Sequence, residues 1–245
     1  MVEYRLLPAG DTALIVEFGE SIDRRINNAV LALTGRIREA AIDGIVEIVP
    51  TFRSLAIYYD PLRCSLEELT QRIESLVATP IAAAPSGRRW RLPVCYDLSL
   101  APDLNDVAAS TGLSPTQVIE RHSGETYHVY MLGFLPGQAY MGDLPAELAL
   151  PRRPSPRLKI RAGSVAIAMT MTCIFPLETP CGWHLLGASP VPLWRVKADA
   201  APLLAPGDSV QFQPISLREY ERWTAQLANT GIVPELAAEL WSDAA

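Results

Sequence analysis

The sequence lacks any Cys-x-x-Cys pair, and it holds only four cysteines (Cys64, Cys95, Cys173, Cys181) and three histidines (His122, His128, His184). These residue types supply most zinc ligands, so no metal site is expected and the thiols should be reduced and structural. No apolar run approaches the roughly 18–20 residues that span a bilayer. Glu3, Arg5 and Asp11 interrupt the stretch where a signal peptide would need an apolar core, so a cytoplasmic location is expected. Positive charge is also in deficit: 21 Lys and Arg against 27 Asp and Glu leave a net −6. That balance disfavours nucleic acid and an anionic membrane surface as partners. There is no Gly-x-Ser-x-Gly elbow and no Gly-Lys-Ser/Thr phosphate loop, which removes the simplest hydrolase and nucleotide-binding readings.

What is present is ordinary for a packed chain. Apolar residues make up 49% and charged residues 20% of 245 positions, enough for one or two domains. Residues 4–8 and 12–18 read as strands. Ile26, Val30, Leu33, Ile37 and Ala41 recur at helical spacing, so a helix is expected over 22–41. Strands are expected at 45–50 and 54–60. Ser65, with Glu68 three residues later, forms a capping-box pattern opening a helix to about 78. The stretch 79–89 is unpatterned and rich in Ala, Pro, Ser and Gly, and it reads as a linker. The expected domains are therefore 1–80, an α+β sandwich, and 81–245.

In the second domain a strand at 91–96 should be followed by helices near 103–110 and from Ser114-Pro115-Thr116-Gln117, another capping signal. Twelve of the 21 prolines fall between Pro136 and Pro214. Short β-like runs at 126–133, 163–169, 183–188 and 208–213 lie among them, the pattern of a barrel or sandwich. Helical signal returns at Ser216–Glu219 and at 234–241.

Three segments could carry chemistry. Residues 148–177 contain no Asp or Glu, while Arg152, Arg153, Arg157, Lys159 and Arg161 fall within ten positions. Such a field suits a phosphate, a carboxylate or an acidic partner, and arginine forks grip planar oxyanions bidentately. Pro151, Pro154 and Pro156 stiffen this loop and lower the entropy lost on binding. The run from Gly133 to Gly142 brackets Gly137 and Tyr140, and glycine permits close backbone approach to a ligand. Pro180-Cys181-Gly182-Trp183-His184 sets a histidine beside a tryptophan after a tight turn, where neutral imidazole can exchange a proton. His122 should cap the end of a helix, and His128, within an alternating strand, should pack or face the surface. From the residues alone, the barrel binds an anionic small molecule or an acidic partner.

The order of motifs resembles a known family. His122, Tyr127 through Gly142, Leu150 through Arg157, Ala162 through Ile167, Gly182-Trp183-His184 and Pro206-Gly207-Asp208 are similar to the B-type subunits of 5-oxoprolinases, also called allophanate hydrolase subunit 1 or sporulation-kinase inhibitor. Gly10-Asp11 and Glu47 through Asp60 extend the resemblance through the first domain. It implies an α+β fold in which an α+β sandwich precedes a cyclophilin-like β-barrel, related to carboxyltransferase domains. It implies a component, inactive alone, of an ATP-dependent 5-oxoprolinase converting 5-oxo-L-proline to L-glutamate. Two partner subunits are implied: a second carboxyltransferase-like one, of the C type, with a third, of the A type. Alternatives within the resemblance are an inhibitor of a sensor histidine kinase and a urea or allophanate amidohydrolase subunit. With the basic loop, it assigns His184, Tyr140 and Ser164 to catalysis. Arg152, Arg153, Arg157, Gly137, Gly182, Trp183 and His122 are assigned to substrate and anion binding, and ATP is the cofactor of the complex. The chain departs from the family pattern at Cys181, in place of a glycine, at Gln138, in place of an aromatic, and at Met169 through Cys173.

Overall fold

A computed structural model of the chain describes residues 3–78, 87–194 and 202–230. The chain divides into two compact units at Ser86/Gly87, six residues beyond the expected break at 80/81.

In the first unit, β1 (Arg5–Pro8), β2 (Ala13–Glu17), β3 (Ile45–Pro50) and β4 (Ser54–Tyr59) form an antiparallel sheet in the order β1-β2-β4-β3. Period-2 alternation turns Leu14 and Val16 of β2, and Leu55 and Ile57 of β4, to one buried face. Against these pack α1 (Arg24–Ala40) and α2 (Leu66–Ala78), through Ile26, Val30, Leu33, Ile37, Leu69 and Ile73. Each such side chain contributes roughly 1.5–3 kcal/mol by leaving water. Asp23 caps α1 by accepting from the backbone N–H of Arg25 (2.8 Å) and Ile26 (3.1 Å). Ala41 does not continue the apolar stripe. It is the left-handed C-cap, at φ 43°, and its side chain is exposed.

The second unit is a closed barrel of seven strands: β5 (Arg89–Cys95), β6 (Thr126–Leu132), β7 (Ala139–Gly142), β9 (Ser164–Ala168), β10 (Met171–Ile174), β12 (His184–Ala188) and β13 (Ser209–Ile215). They run in the order β10-β7-β6-β13-β5-β12-β9, and β9 returns to β10. All pairs are antiparallel except β5 with β13, which lie parallel from Arg89 opposite Ser209 to Cys95 opposite Ile215. The mixed α+β class and the barrel thus agree with the sequence reading. Outside the barrel, β8 (Arg157–Ile160) and β11 (Thr179–Cys181) make a two-stranded ribbon. Helices α3 (Leu104–Thr111) and α4 (Pro115–Gly124) contribute Leu104, Val107, Ala108 and Val118 to the barrel's core.

The seam between β5 and β13 is held by one buried carboxylate. Asp208 accepts from Arg88 N (2.8 Å), Trp90 Nε1 (2.8 Å), Ala205 N (3.0 Å) and Arg88 Nη2 (3.2 Å). Such charge-assisted bonds are roughly twice as strong as neutral ones. Ser114 and Gln117 cap α4 reciprocally, and Ser216 with Glu219 does the same for α5 (Leu217–Thr230). The helical signal at 234–241 lies outside the described residues.

Candidate active site

Of the five cations in the acid-free stretch, four are already engaged. Asp103, 1% exposed, accepts from Arg153 Nη1 (2.7 Å), Arg157 Nη1 (2.8 Å) and Arg157 Nη2 (2.6 Å), and from the backbone N–H of Leu185 (2.7 Å). Lys159 pairs with Glu178, and Arg161 donates to the Tyr220 hydroxyl. Arg152 has no carboxylate partner among the described residues and faces a pocket instead. Arg153 and Arg157, expected to hold an anionic ligand, turn guanidinium N–H groups onto Asp103 and do not line the pocket. Two arginines on one carboxylate leave one positive charge in excess at this loop.

The pocket, of about 120 Å³, is lined by Phe134, Gln138, Tyr140, Arg152, Phe175, Pro180, Cys181, Gly182 and Trp183. Four chain segments build it: the turn from β6 to β7 with the start of β7, the proline-stiffened loop before β8, Phe175 directly after β10, and the end of β11 with the residues after it. Trp183 meets the ring of Tyr140 edge-on at 6.1 Å and that of Phe175 at 6.3 Å, which makes an aromatic wall. The loop is tied across the opening twice. Arg153 N donates to Gly182 O (2.8 Å), and His184 Nε2 donates to Pro151 O (2.9 Å).

That second bond fixes a tautomer. A carbonyl can only accept, so the proton sits on Nε2 and the Nδ1 of neutral His184 is a bare lone pair. Nδ1 is shielded from solvent and has no partner. Two other buried side-chain atoms among the described residues share this condition, Gln138 Oε1 and Arg153 Nε. All three belong to the segments that form or tie down the pocket. Buried polar atoms are satisfied in the great majority of cases, so three orphans in one neighbourhood point to a ligand.

Burial pushes the Tyr140 phenol above its usual value, so it keeps its proton at neutral pH and remains a donor. Burial likewise pushes the Cys181 thiol up, despite the Trp183 N–H on its sulfur at 3.2 Å. A thiol held protonated is no nucleophile.

Two more predicted residues lie elsewhere. Ser164 is buried on β9 and its hydroxyl donates to Arg161 O (2.8 Å), so it does not reach the pocket. His122 is fully buried in the barrel core, stacked on Phe212 at 4.8 Å. Thr172 donates to Ala166 O, so its oxygen accepts from His122 Nε2 (2.9 Å) while Tyr96 donates to Nδ1 (2.8 Å). Burial lowers the His122 pKa to about 3, which keeps the ring neutral and structural rather than anion-binding or capping. Gly137 sits under the pocket's turn at φ 75°, where a Cβ would lie 2.4 Å from Trp194 Cβ. Its role is close packing of the turn. Tyr140, Arg152, Gly182 and Trp183 are the predicted residues that line the pocket together, and His184 is tied to the loop beside it through Pro151 O.

Asp103 and Phe175 had no signal in the sequence reading. Asp103 occupies the N-cap position of α3 yet makes no side-chain cap bond, because its carboxylate is spent on the arginines. No helix of the described residues is long and apolar enough to cross a membrane, and none of their His, Cys, Asp and Glu residues group as a metal site.

The chain belongs to the carboxyltransferase domain family, subdomains C and D, which matches residues 4–204. It is 36% identical over 233 residues to the B-type subunit of 5-oxoprolinase from Bacillus subtilis, covering 91% of this chain and 97% of that one. Among solved structures it is similar to TTHA0988, with a TM-score of 0.75 and 36% identity over 83% of this chain, and it spans only 40% of that longer protein. The urea amidolyase of K. lactis shares the fold, with a TM-score of 0.69 at 18% identity over 98% of this chain and 18% of that one.

Proposed function

We propose that this chain is one component of an ATP-dependent 5-oxoprolinase, working in the cytoplasm with two partner subunits, of which one is carboxyltransferase-like. The reading is supported by relatives named as the B-type component of 5-oxoprolinase, at 36% identity across most of the chain. The observation that carries it into the structure is the Arg152 guanidinium, without a carboxylate partner among the described residues, lining one pocket with Gln138, whose buried Oε1 is unsatisfied. Ring opening of a lactam carboxylate needs an anchor for the carboxylate, a donor for the ring carbonyl and an acceptor for a proton. Arg152 is the anchor and Tyr140 the donor, and His184, tied to Pro151 O beside the pocket, is the acceptor. Once the pocket opens to it, His184 takes a proton from the attacking water as the C–O bond forms and returns it to the ring nitrogen as the C–N bond breaks. Trp183 and Phe175 wall the ring and exclude solvent.

ATP supplies the driving force of ring opening when bound in the complex. A pocket of about 120 Å³ is well below the ~300–1,000 Å³ that drug-sized ligands occupy, so its fit is to the small lactam rather than to a nucleotide.

The test is release of glutamate from 5-oxoproline with ATP, by this chain alone and reconstituted with the two partner subunits. Activity confined to the full mixture is the expected result. Folded, associated proteins that release no glutamate would overturn the proposal. Arg152→Ala should raise KM at least tenfold in the active mixture without changing the thermal midpoint of the chain, since this arginine forms no ion pair to lose.

A further inference from the structure

Gln138 is 1% exposed, and its Oε1 has no hydrogen-bond partner. An amide buried at random would leave its cost uncompensated, so the position of this one matters. It lines the pocket together with Arg152, Tyr140, Phe175 and Trp183. Its backbone is fixed on both sides, because Gln138 N donates to Leu135 O (3.1 Å) and Gly133 N donates to Gln138 O (3.1 Å). Gly137, packed against Trp194, leaves the turn no room to shift away. The side chain is thus anchored at its root, while its acceptor is shielded and unmet.

We infer that Gln138 is a specificity-determining residue: its side-chain oxygen accepts the ring N–H of a small lactam whose carboxylate pairs with Arg152. This rests on the function proposed above and adds what that reading leaves open, which is how the pocket tells a lactam from a ring of the same shape. Arg152 reads only charge, and the aromatic wall reads only ring shape. Neither distinguishes a ring nitrogen bearing hydrogen from a ring oxygen. The Gln138 oxygen does, because a ring oxygen would face it lone pair to lone pair and leave it buried and unsatisfied.

The experiment is calorimetric titration of the full chain, alone and within the reconstituted complex, with L-5-oxoproline and with its ring-oxygen analogue, 5-oxotetrahydrofuran-2-carboxylate. The native protein is expected to bind the lactam at least tenfold more tightly than the lactone. Gln138→Met, similar in volume but without an acceptor, should bring the two affinities together. Because it removes an unsatisfied buried atom, its thermal midpoint should equal or exceed the native one, which shows that the variant is folded.

Equal native affinities, or a Gln138→Met protein that keeps the preference, would overturn the inference while leaving the proposed function intact. So would glutamate release by a mixture in which neither probe is bound at this pocket, as judged by an unaltered lactam KM in Gln138→Met. Preference for the lactam that vanishes in Gln138→Met, in a mixture that releases no glutamate, would sustain the inference and sink the proposed function.

Discussion

Replacing Asp103 with alanine should strongly destabilise the second unit. The carboxylate is 1% exposed and accepts four hydrogen bonds, three from guanidinium groups and one from Leu185 N–H. Its removal strands Arg153 and Arg157, whose side chains are each only 26% exposed. Breaking a buried pair costs about 3–5 kcal/mol, and the partial solvent access of the two arginines places this one near the lower end, at about 3. The orphaned Leu185 N–H adds about 1 kcal/mol, for a total near 4. At about 2–4 °C per kcal/mol for a unit of this size, the midpoint should fall by about 8–16 °C. Tryptophan fluorescence isolates the effect, because all five tryptophans follow residue 87. Asp103→Asn, which keeps an acceptor but loses the charge, should fall between the two. Glu178→Ala, which breaks the exposed pair with Lys159, should cost less than about 1 kcal/mol. A loss below about 1 kcal/mol in Asp103→Ala would refute the argument that this carboxylate holds the loop.

Three further outcomes are expected. His122 is neutral in the fold, its pKa lowered to about 3 against an ordinary 6.5, so the unfolded chain takes up the proton first. Its stabilising contribution is complete above about pH 6.5 and is lost as pH falls toward 3, reaching about 2 kcal/mol at pH 5; His122→Gln should remove that part of the slope in denaturant titrations, and an unchanged slope would refute it. Gly137→Ala combines a left-handed φ with a Cβ 2.4 Å from Trp194 and should destabilise by about 1–3 kcal/mol by thermal melt, and an unchanged melt would show that the turn shifts freely. The four thiols are buried, and burial raises the pKa of each, so native protein at pH 7.5 should react with a thiol reagent far more slowly than denatured protein. Equal rates would contradict the buried assignment.

Local signals were legible and distant ones were not. Ser114 with Gln117, and Ser216 with Glu219, act within one helical turn, so their residue types alone announce the helix starts. The apolar stripe of α1 was legible until Ala41, where a left-handed cap ends it. By contrast β7, β8, β10 and β11 have three or four residues each, too few to show alternation, and the flanking glycines and prolines look like turn. The basic loop shows where the next gap lies. The sequence displays five cations but not their partners, and the residue that decides which arginine stays available is Asp103, fifty positions from Arg153. Ser164 and His122 carry reactive atoms and sit in the matching motifs, yet the barrel turns both inward to satisfy backbone and core. Gln138 was visible only as a departure from an aromatic, and its unmet oxygen emerges once the turn beneath it is built.

The parallel seam of β5 and β13 has a consequence for how the molecule is made. During synthesis β5 emerges first, yet its two neighbours are β12 and β13, and the Asp208 side chain that clamps Arg88 arrives 120 residues later. Until β12 is made β5 carries two open edges, and one edge stays open until β13, the same last strand for which β6 waits on one side. At about 5–20 residues per second that exposure lasts several seconds or more, while the first unit, whose strands pair within sixty residues, can already be folded. Closure is thus a late event, driven by long-range pairing that is slow to find. A ribosome stalled before residue 209 would hold an unsealed sheet with edges open to a neighbouring nascent chain, and this is the stage at which a chaperone would matter most.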